Sequence, residues 1–304
     1  MDRRRFVGAL AAGAAAAAFA GGAEAGRPDL SRLRTRRITD IEVLYRTPHG
    51  KPNGLDLTSE GMWIIDQGPD NWISLINPDT GALIREFQPN NVRSASGICV
   101  DDTDGTFWIG STYNRMIVHT NGADGATIAA FQTPGAGLIY RARGDVQGHR
   151  TPLEPAYPEA PRPPSALPGN VARLPNGQVA LDLIEAPPGT GAHCILQKAD
   201  MLYIAVPPAR SVFIVNKTDW VVEDYYASAG NRPHDMSWTD TRKTAFWASD
   251  SNLNAFFLQD AATGRITQRL QLPDNSPVIH GAKLYNGHMY CCDDVGWMFR
   301  FRMP

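Results

Sequence analysis

From about residue 40 the chain is a succession of short apolar runs broken by turn residues, with almost no helical periodicity. Met62-Trp63-Ile64-Ile65-Asp66, Ile73-Ser74-Leu75-Ile76 and Ile84-Arg85-Glu86-Phe87 are rich in β-branched and aromatic types, as strands are. Asp79-Thr80-Gly81 and Thr263-Gly264 lie where hairpins need a positive φ. The order then recurs. Asn53-Gly54-Leu55, Ser96-Gly97-Ile98, His193-Cys194-Ile195, His234-Asp235-Met236 and His280-Gly281-Ala282 each open a unit, and an aromatic-centred strand follows: Trp63, Trp108, Tyr203, Trp247 and Tyr290. Four strands per unit at a period of about 40 residues is the pattern of a propeller blade. A β-sandwich is the rival, but nothing in a sandwich requires self-similar units.

Ala136-Gly137-Leu138 stands one period after Ser96, which gives six unit starts: Asn53, Ser96, Ala136, His193, His234 and His280. The expectation is therefore an all-β, six-bladed β-propeller of four-stranded blades over residues 38–304. Its third blade is enlarged by a Pro-rich insertion at about 144–169, a surface excursion because proline is excluded from interior strands. Val171 to Ile184, centred on Pro175-Asn176-Gly177, reads as that blade's outer hairpin. The last unit stops after three strands, and the run Ile38 to Tyr45 is expected to supply the fourth and close the ring with the N-terminal strand.

Ahead of the repeat, Arg3-Arg4-Arg5-Phe6, the apolar run Val7 to Ala20 and Ala23-Glu24-Ala25 read as the three parts of an export signal. They resemble a twin-arginine signal peptide over residues 1–25, with Asp2 where Ser or Thr is usual and residues 26–37 as linker. An uncleaved Ala-rich anchor is the competing reading. Export implies a periplasmic or secreted protein, with no membrane contact after cleavage. The net charge of -2 and pI of about 6.4 give no support for a nucleic-acid partner. Cys99, Cys194, Cys291 and Cys292 are too few and too irregular for a disulfide framework or a CxxC metal site. Cys291 and Cys292 are expected on opposite faces of one strand, a strained bridge between them being the lesser alternative.

Candidate chemistry comes from aligning the unit starts. Their first residues read Asn53, Ser96, Ala136, His193, His234 and His280, a column at the mouth of the central channel. One histidine there would be a hydrogen-bonded strand end. Three in register, with Asn53 next in the ring, suit a divalent metal, zinc first and magnesium or calcium as alternatives. Such an ion would polarise a substrate oxygen or acidify a bound water. His49, Tyr140, Arg141 and Arg232 are the candidate catalytic residues around it: His49 as base, Arg232 as a carboxylate clamp, Tyr140 and Arg141, with His149, as a wall. Asp66, Asp250 and Asp293 read as turn acceptors, and Trp63, Trp108 and Trp247 as inter-blade packing.

Pro52-Asn53-Gly54-Leu55 with Trp63-Ile64-Ile65-Asp66 resembles units of the propeller group that includes gluconolactonases, virginiamycin B lyase and peptidyl-α-hydroxyglycine α-amidating lyase. The resemblance spans most of residues 38–304, is carried by generic blade residues, and speaks to fold more than to activity. The Glu-Gly-Pro motif of the gluconolactonases is missing, which argues against their chemistry. The amidating lyase holds zinc with three channel histidines, a role His193, His234 and His280 match in kind but in consecutive blades. Virginiamycin B lyase uses a channel histidine and magnesium for an elimination. The resemblance thus implies an exported metal-dependent lyase or hydrolase acting on a small polar substrate at the channel mouth. The alternative is a non-catalytic propeller that binds a protein or small ligand in the periplasm. The sequence fixes neither the substrate nor the oligomeric state.

Overall fold

The computed structural model describes residues 29–134, 191–230 and 232–304. A short strand β1 (Arg34–Arg37) and β2 (Glu42–Arg46) come first. The first blade holds β3 (Pro52–Thr58), β4 (Gly61–Asp66), β5 (Ile73–Ile76) and β6 (Leu83–Phe87). The second holds β7 (Ala95–Val100), β8 (Phe107–Ser111), β9 (Met116–Thr120) and β10 (Thr127–Gln132). The third is β11 (Cys194–Lys198), β12 (Met201–Val206), β13 (Ser211–Asn216) and β14 (Val221–Ala227). The fourth is β15 (Pro233–Trp238), β16 (Ala245–Asp250), β17 (Ala255–Asp260) and β18 (Ile266–Gln271). β19 (Ala282–Tyr285), β20 (His288–Cys292) and β21 (Trp297–Arg302) make the fifth, with β2 as its outermost strand, Glu42 opposite Arg300. β1, expected within the linker, instead lies parallel on the outer edge of β18, Arg34 opposite Gln268.

Local chemistry explains the strands. The turns leading into the outermost strands of the first four blades are held by an Asn or Asp whose side-chain oxygen accepts the backbone N–H two residues on: Asn77, Asn121, Asn216 and Asp260. Gly81, Gly125 and Gly264 supply the positive φ that three of these turns need. The second strand of each blade places Trp63, Trp108, Tyr203, Trp247 or Tyr290 at one register position, all buried in the core between blades.

The core lies between blades, in five clusters. One joins blades one and two (Trp63, Phe87, Phe107), one two and three (Trp108, Phe131, Trp220), one three and four (Tyr203, Phe246), one four and five (Phe256, Phe301), and one five and one (Tyr290, Leu55). Cys291 and Cys292 point into different interfaces, and all four cysteines are free and buried.

This arrangement corrects the blade count. Blades two and three touch directly: a Cβ on Gly97 would stand 2.9 Å from the Cys194 Cα, and Gly191 N–H donates to the Thr112 carbonyl at 2.8 Å. No blade fits between them, so the ring has five blades rather than six. The expected third blade, with the insertion at 144–169 and the hairpin at 171–184, lies outside the described residues, as does the signal at 1–25. Spacing alone led to the error, because an inserted segment of about one period counts as a unit. Gly97→Ala is expected to cost about 1–3 kcal/mol in chemical denaturation, since both backbones at the contact are held in ladders. An unchanged midpoint would mean that these two blades do not abut.

Candidate active site at the propeller mouth

With five blades, the column of inner-strand openings becomes continuous and wholly polar: Asn53, Ser96, His193, His234 and His280. All five are buried. The segments that deliver Asn53 and His234 are pinned by two of the aspartates read as turn acceptors. Asp66 accepts Lys51 N–H at 2.6 Å, Asp250 accepts Arg232 N–H at 2.7 Å, and Asp293 accepts Val295 and Trp297 N–H in its own turn. Each anchor lies two residues before a ring residue in the first two cases, so the ring's depth is set by backbone bonds.

The structure brings the three histidines together. The His193 and His234 ring centroids are 4.8 Å apart and perpendicular, and those of His234 and His280 are 4.3 Å apart and tilted by 31°. Both nitrogens of His193, both of His234 and Nδ1 of His280 have no hydrogen-bond partner among the described residues. Burying such groups without partners is costly, so these nitrogens call for partners beyond the described residues. Burial, and then the positive Arg232, pushes the His193 imidazole down to about 3. Burial also pushes His280 down to about 4, with Asp294 pulling the other way from 4.0 Å. His234 is held well below its ordinary value by burial and then by its two histidine neighbours. All three imidazoles are neutral at pH 7.

Neutral imidazoles with unpartnered nitrogens have the donor chemistry of a zinc site and are poorly matched to magnesium or calcium, which take oxygen ligands. As the rings stand, no group of three or more His, Cys, Asp or Glu side chains among the described residues is placed to hold an ion. Asn53 faces the neighbouring blade, its amide donating to the Ser96 hydroxyl at 3.3 Å, while its own Oδ1 is buried without a partner among the described residues. Arg232 reaches all three histidines electrostatically, and its Nε is buried without a partner among the described residues.

His49 is placed elsewhere. It is exposed, stacks on Trp72 at 4.9 Å and pairs with Glu86 on the outermost strand of the first blade at 2.7 Å. Tyr140, Arg141 and His149 lie outside the described residues.

The residues that sequence reasoning missed form the floor. One step below the ring, the inner strands carry Gly54, Gly97, Cys194, Asp235 and Gly281. The glycines are forced: a Cβ on Gly54 would meet the Ser96 carbonyl and one on Gly281 would meet Leu55. Asp235 alone projects a charged group at this level, and it gathers donors from four blades. Ala282 and Met236 N–H donate to it at 2.7 Å, Leu55 N–H at 3.2 Å, the Cys194 thiol at 2.8 Å and Lys283 Nζ at 3.2 Å. Lys283 also donates to the Met236 carbonyl at 2.6 Å. Burial disfavours its charge, but Asp235, Cys194 and Asp56 outweigh that and raise its pKa. Beneath the histidines there is thus a closed polar floor. A charged residue among in-register glycines was the signal available in the sequence.

A ring of five four-stranded blades around a polar mouth defines an all-β propeller with a candidate small-molecule site. No protein-family model matches the chain, and no curated protein matches it. Among solved structures, the glutaminyl cyclase of Myxococcus xanthus is similar over 89% of this chain and 97% of its own, at 8% identity and a TM-score of 0.56. Virginiamycin B lyase from Staphylococcus aureus aligns over 87% of this chain and 99% of its own, at 13% identity and TM-score 0.42 for a catalytically inactive form with quinupristin, and at 12% and 0.47 for a selenomethionine form. At these identities the likeness to the cyclase establishes the propeller fold.

Proposed function

We propose that the chain is an exported propeller enzyme that carries out lyase-like chemistry on a small polar substrate at the mouth ring. The observation that carries this is the cluster of five buried imidazole nitrogens on His193, His234 and His280 that have no hydrogen-bond partner among the described residues. The cyclase, similar in fold, is an enzyme too, which is compatible with an enzymatic role. Neutral imidazoles can take a proton from one substrate atom and hand one to a leaving group, the two transfers an elimination or an internal cyclisation requires. His280, beside Asp294, is the best placed to accept the proton. At rest its basicity is low, but an anionic substrate group against the ring favours the protonated form and raises it. Arg232 holds that anionic group, and Asn53 and Ser96 orient a substrate hydroxyl or amide. If a divalent ion binds, zinc before magnesium or calcium, His193, His234 and His280 hold it and it supplies polarisation of a substrate oxygen.

Two measurements test this. Incubated with an extract of small polar metabolites and followed by mass spectrometry, the wild type is expected to consume at least one compound. His280→Gln should do so at least about a hundredfold more slowly with an unchanged melting temperature. Equal consumption by both, or none by the wild type, would leave a propeller that binds without catalysis. If the three rings turn to hold an ion, protein purified without a histidine tag retains added zinc near one equivalent and His234→Ala loses it; retention below about one-tenth equivalent by the wild type removes the ion from the proposal.

A further inference from the structure

The ladder bonds alone do not fix where the ring side chains point. In blades one, two and four the pairing of the innermost strand shifts register at the ring residue. The shift falls between Pro52 and Gly54 at Asn53, between Ala95 and Gly97 at Ser96, and between Pro233 and Met236 at His234. A bulge frees a side chain from the strand's alternation and re-aims it, so bonds outside the ladder have to hold it. In blade four both His234 and Asp235 fall within the shift, opposite Ser249. The Ser249 hydroxyl secures the backbone there, accepting Asp235 N–H at 2.9 Å and donating to the Asp235 carbonyl at 3.2 Å.

The partners of the Asp235 carboxylate share one property: each stands just past a ring residue. Cys194, whose thiol donates to Oδ1, follows His193 directly. Ala282, whose N–H donates to Oδ2, stands two residues after His280. Leu55, whose N–H also donates to Oδ2, stands two residues after Asn53. Asp235 itself follows His234. One carboxylate therefore joins the strands that carry Asn53 and all three histidines. Charge is not how it reaches the imidazoles. The charges that act most on His193 and His280 are those of Arg232, Asp294 and Asp293, while Lys283 Nζ, 3.2 Å away, balances Asp235.

We infer that Asp235 is a positioning residue for the mouth: by gathering these donors it sets the spacing of His193, His234 and His280. Its consequence for catalysis rests on the reading of the mouth as the reacting site.

Proton NMR of the imidazoles reads the spacing directly. With centroids 4.8 and 4.3 Å apart, His234 is expected to show a nuclear Overhauser contact to each neighbour. A displacement of about 1 Å, enough to cost about a hundredfold in rate, weakens such a contact about threefold, because it falls with the sixth power of distance. Asp235→Asn keeps the side chain's shape but puts a donor where an acceptor oxygen stood, and both contacts should weaken by that factor. Cys194→Ala removes only the tie to the His193 strand and should weaken the contact between His193 and His234 alone. Lys283→Met also lowers the melting temperature, yet leaves the carboxylate its donors from the other three strands, so both contacts should persist. That comparison separates positioning from lost stability. Spectra are recorded below each variant's melting transition, and if Asp235→Asn does not fold, Cys194→Ala carries the test. Undiminished contacts in the variant so read would overturn the inference, as would equal weakening in Lys283→Met. Metabolite consumption tests the underlying reading separately. If the contacts weaken in Asp235→Asn while consumption runs at the wild-type rate, or if the wild type consumes nothing, Asp235 still positions the rings and it is the reading of the mouth as a reacting site that fails.

Discussion

Asp235→Ala is expected to cost the fold about 3–5 kcal/mol. The cause is the company it keeps. Removing the carboxylate leaves the Lys283 ammonium buried and without its hydrogen-bonded counter-charge, together with the N–H groups of Leu55 and Ala282. Lys283 is only 4% exposed. A strained cavity could produce a similar loss, so the double variant Asp235→Ala, Lys283→Met decides between causes. If the buried, uncompensated charge dominates, the double variant recovers a large part of the stability in urea denaturation. If it is no more stable than Asp235→Ala alone, the floor is held by packing and the ion pair is incidental.

Acid is expected to weaken the wild type before its carboxylates titrate. The ordinary imidazole value is near 6.5, while His193 and His280 in the folded chain sit at about 3 and about 4 and His234 lies lower than normal as well. Between those values the unfolded chain binds protons that the folded chain refuses, so stability is complete above 6.5 and falls as pH drops through the window. At about pH 4.5 the loss is of order 2 kcal/mol per histidine, less for the group because the three are coupled. His119, also lowered by burial, acts in the same direction. Asp56 and Asp250, raised by burial, act in the opposite one and trim the fall. Urea midpoints at about pH 7 and about pH 4.5 measure the difference, and His193→Gln with His280→Gln should flatten it. A wild type equally stable at both pH values would show that the imidazoles are hydrated and ordinary.

Much of the site was legible because a propeller repeats. Once the inner strands are aligned, His193, His234 and His280 share a column whatever the number of blades, and the tryptophans and turn aspartates take the roles their positions imply. The blade count was not legible, because the distance from Ser96 to His193 accommodates a unit as readily as an insertion. The direct contacts between blades two and three, Gly97 with Cys194 and Gly191 with Thr112, decide it. The Asp235 floor escaped notice for another reason: its donors, Leu55, Cys194, Ala282 and Lys283, come from separate blades and share no local motif. The place of His49 follows from its contacts rather than from its position in the chain. It precedes the first inner strand in sequence, but Trp72 and Glu86 draw it to the blade's outer part.

The most direct test of the mouth ring is nitrogen-15 NMR of histidine-labelled protein at about pH 6, before and after addition of millimolar phosphate or succinate. Three imidazoles assigned by His193→Gln, His234→Gln and His280→Gln are expected to be neutral and to shift together on addition, while exposed His49 and partly buried His288 do not follow. If the three titrate near 6.5 and are indifferent to both anions, the ring is not a binding site.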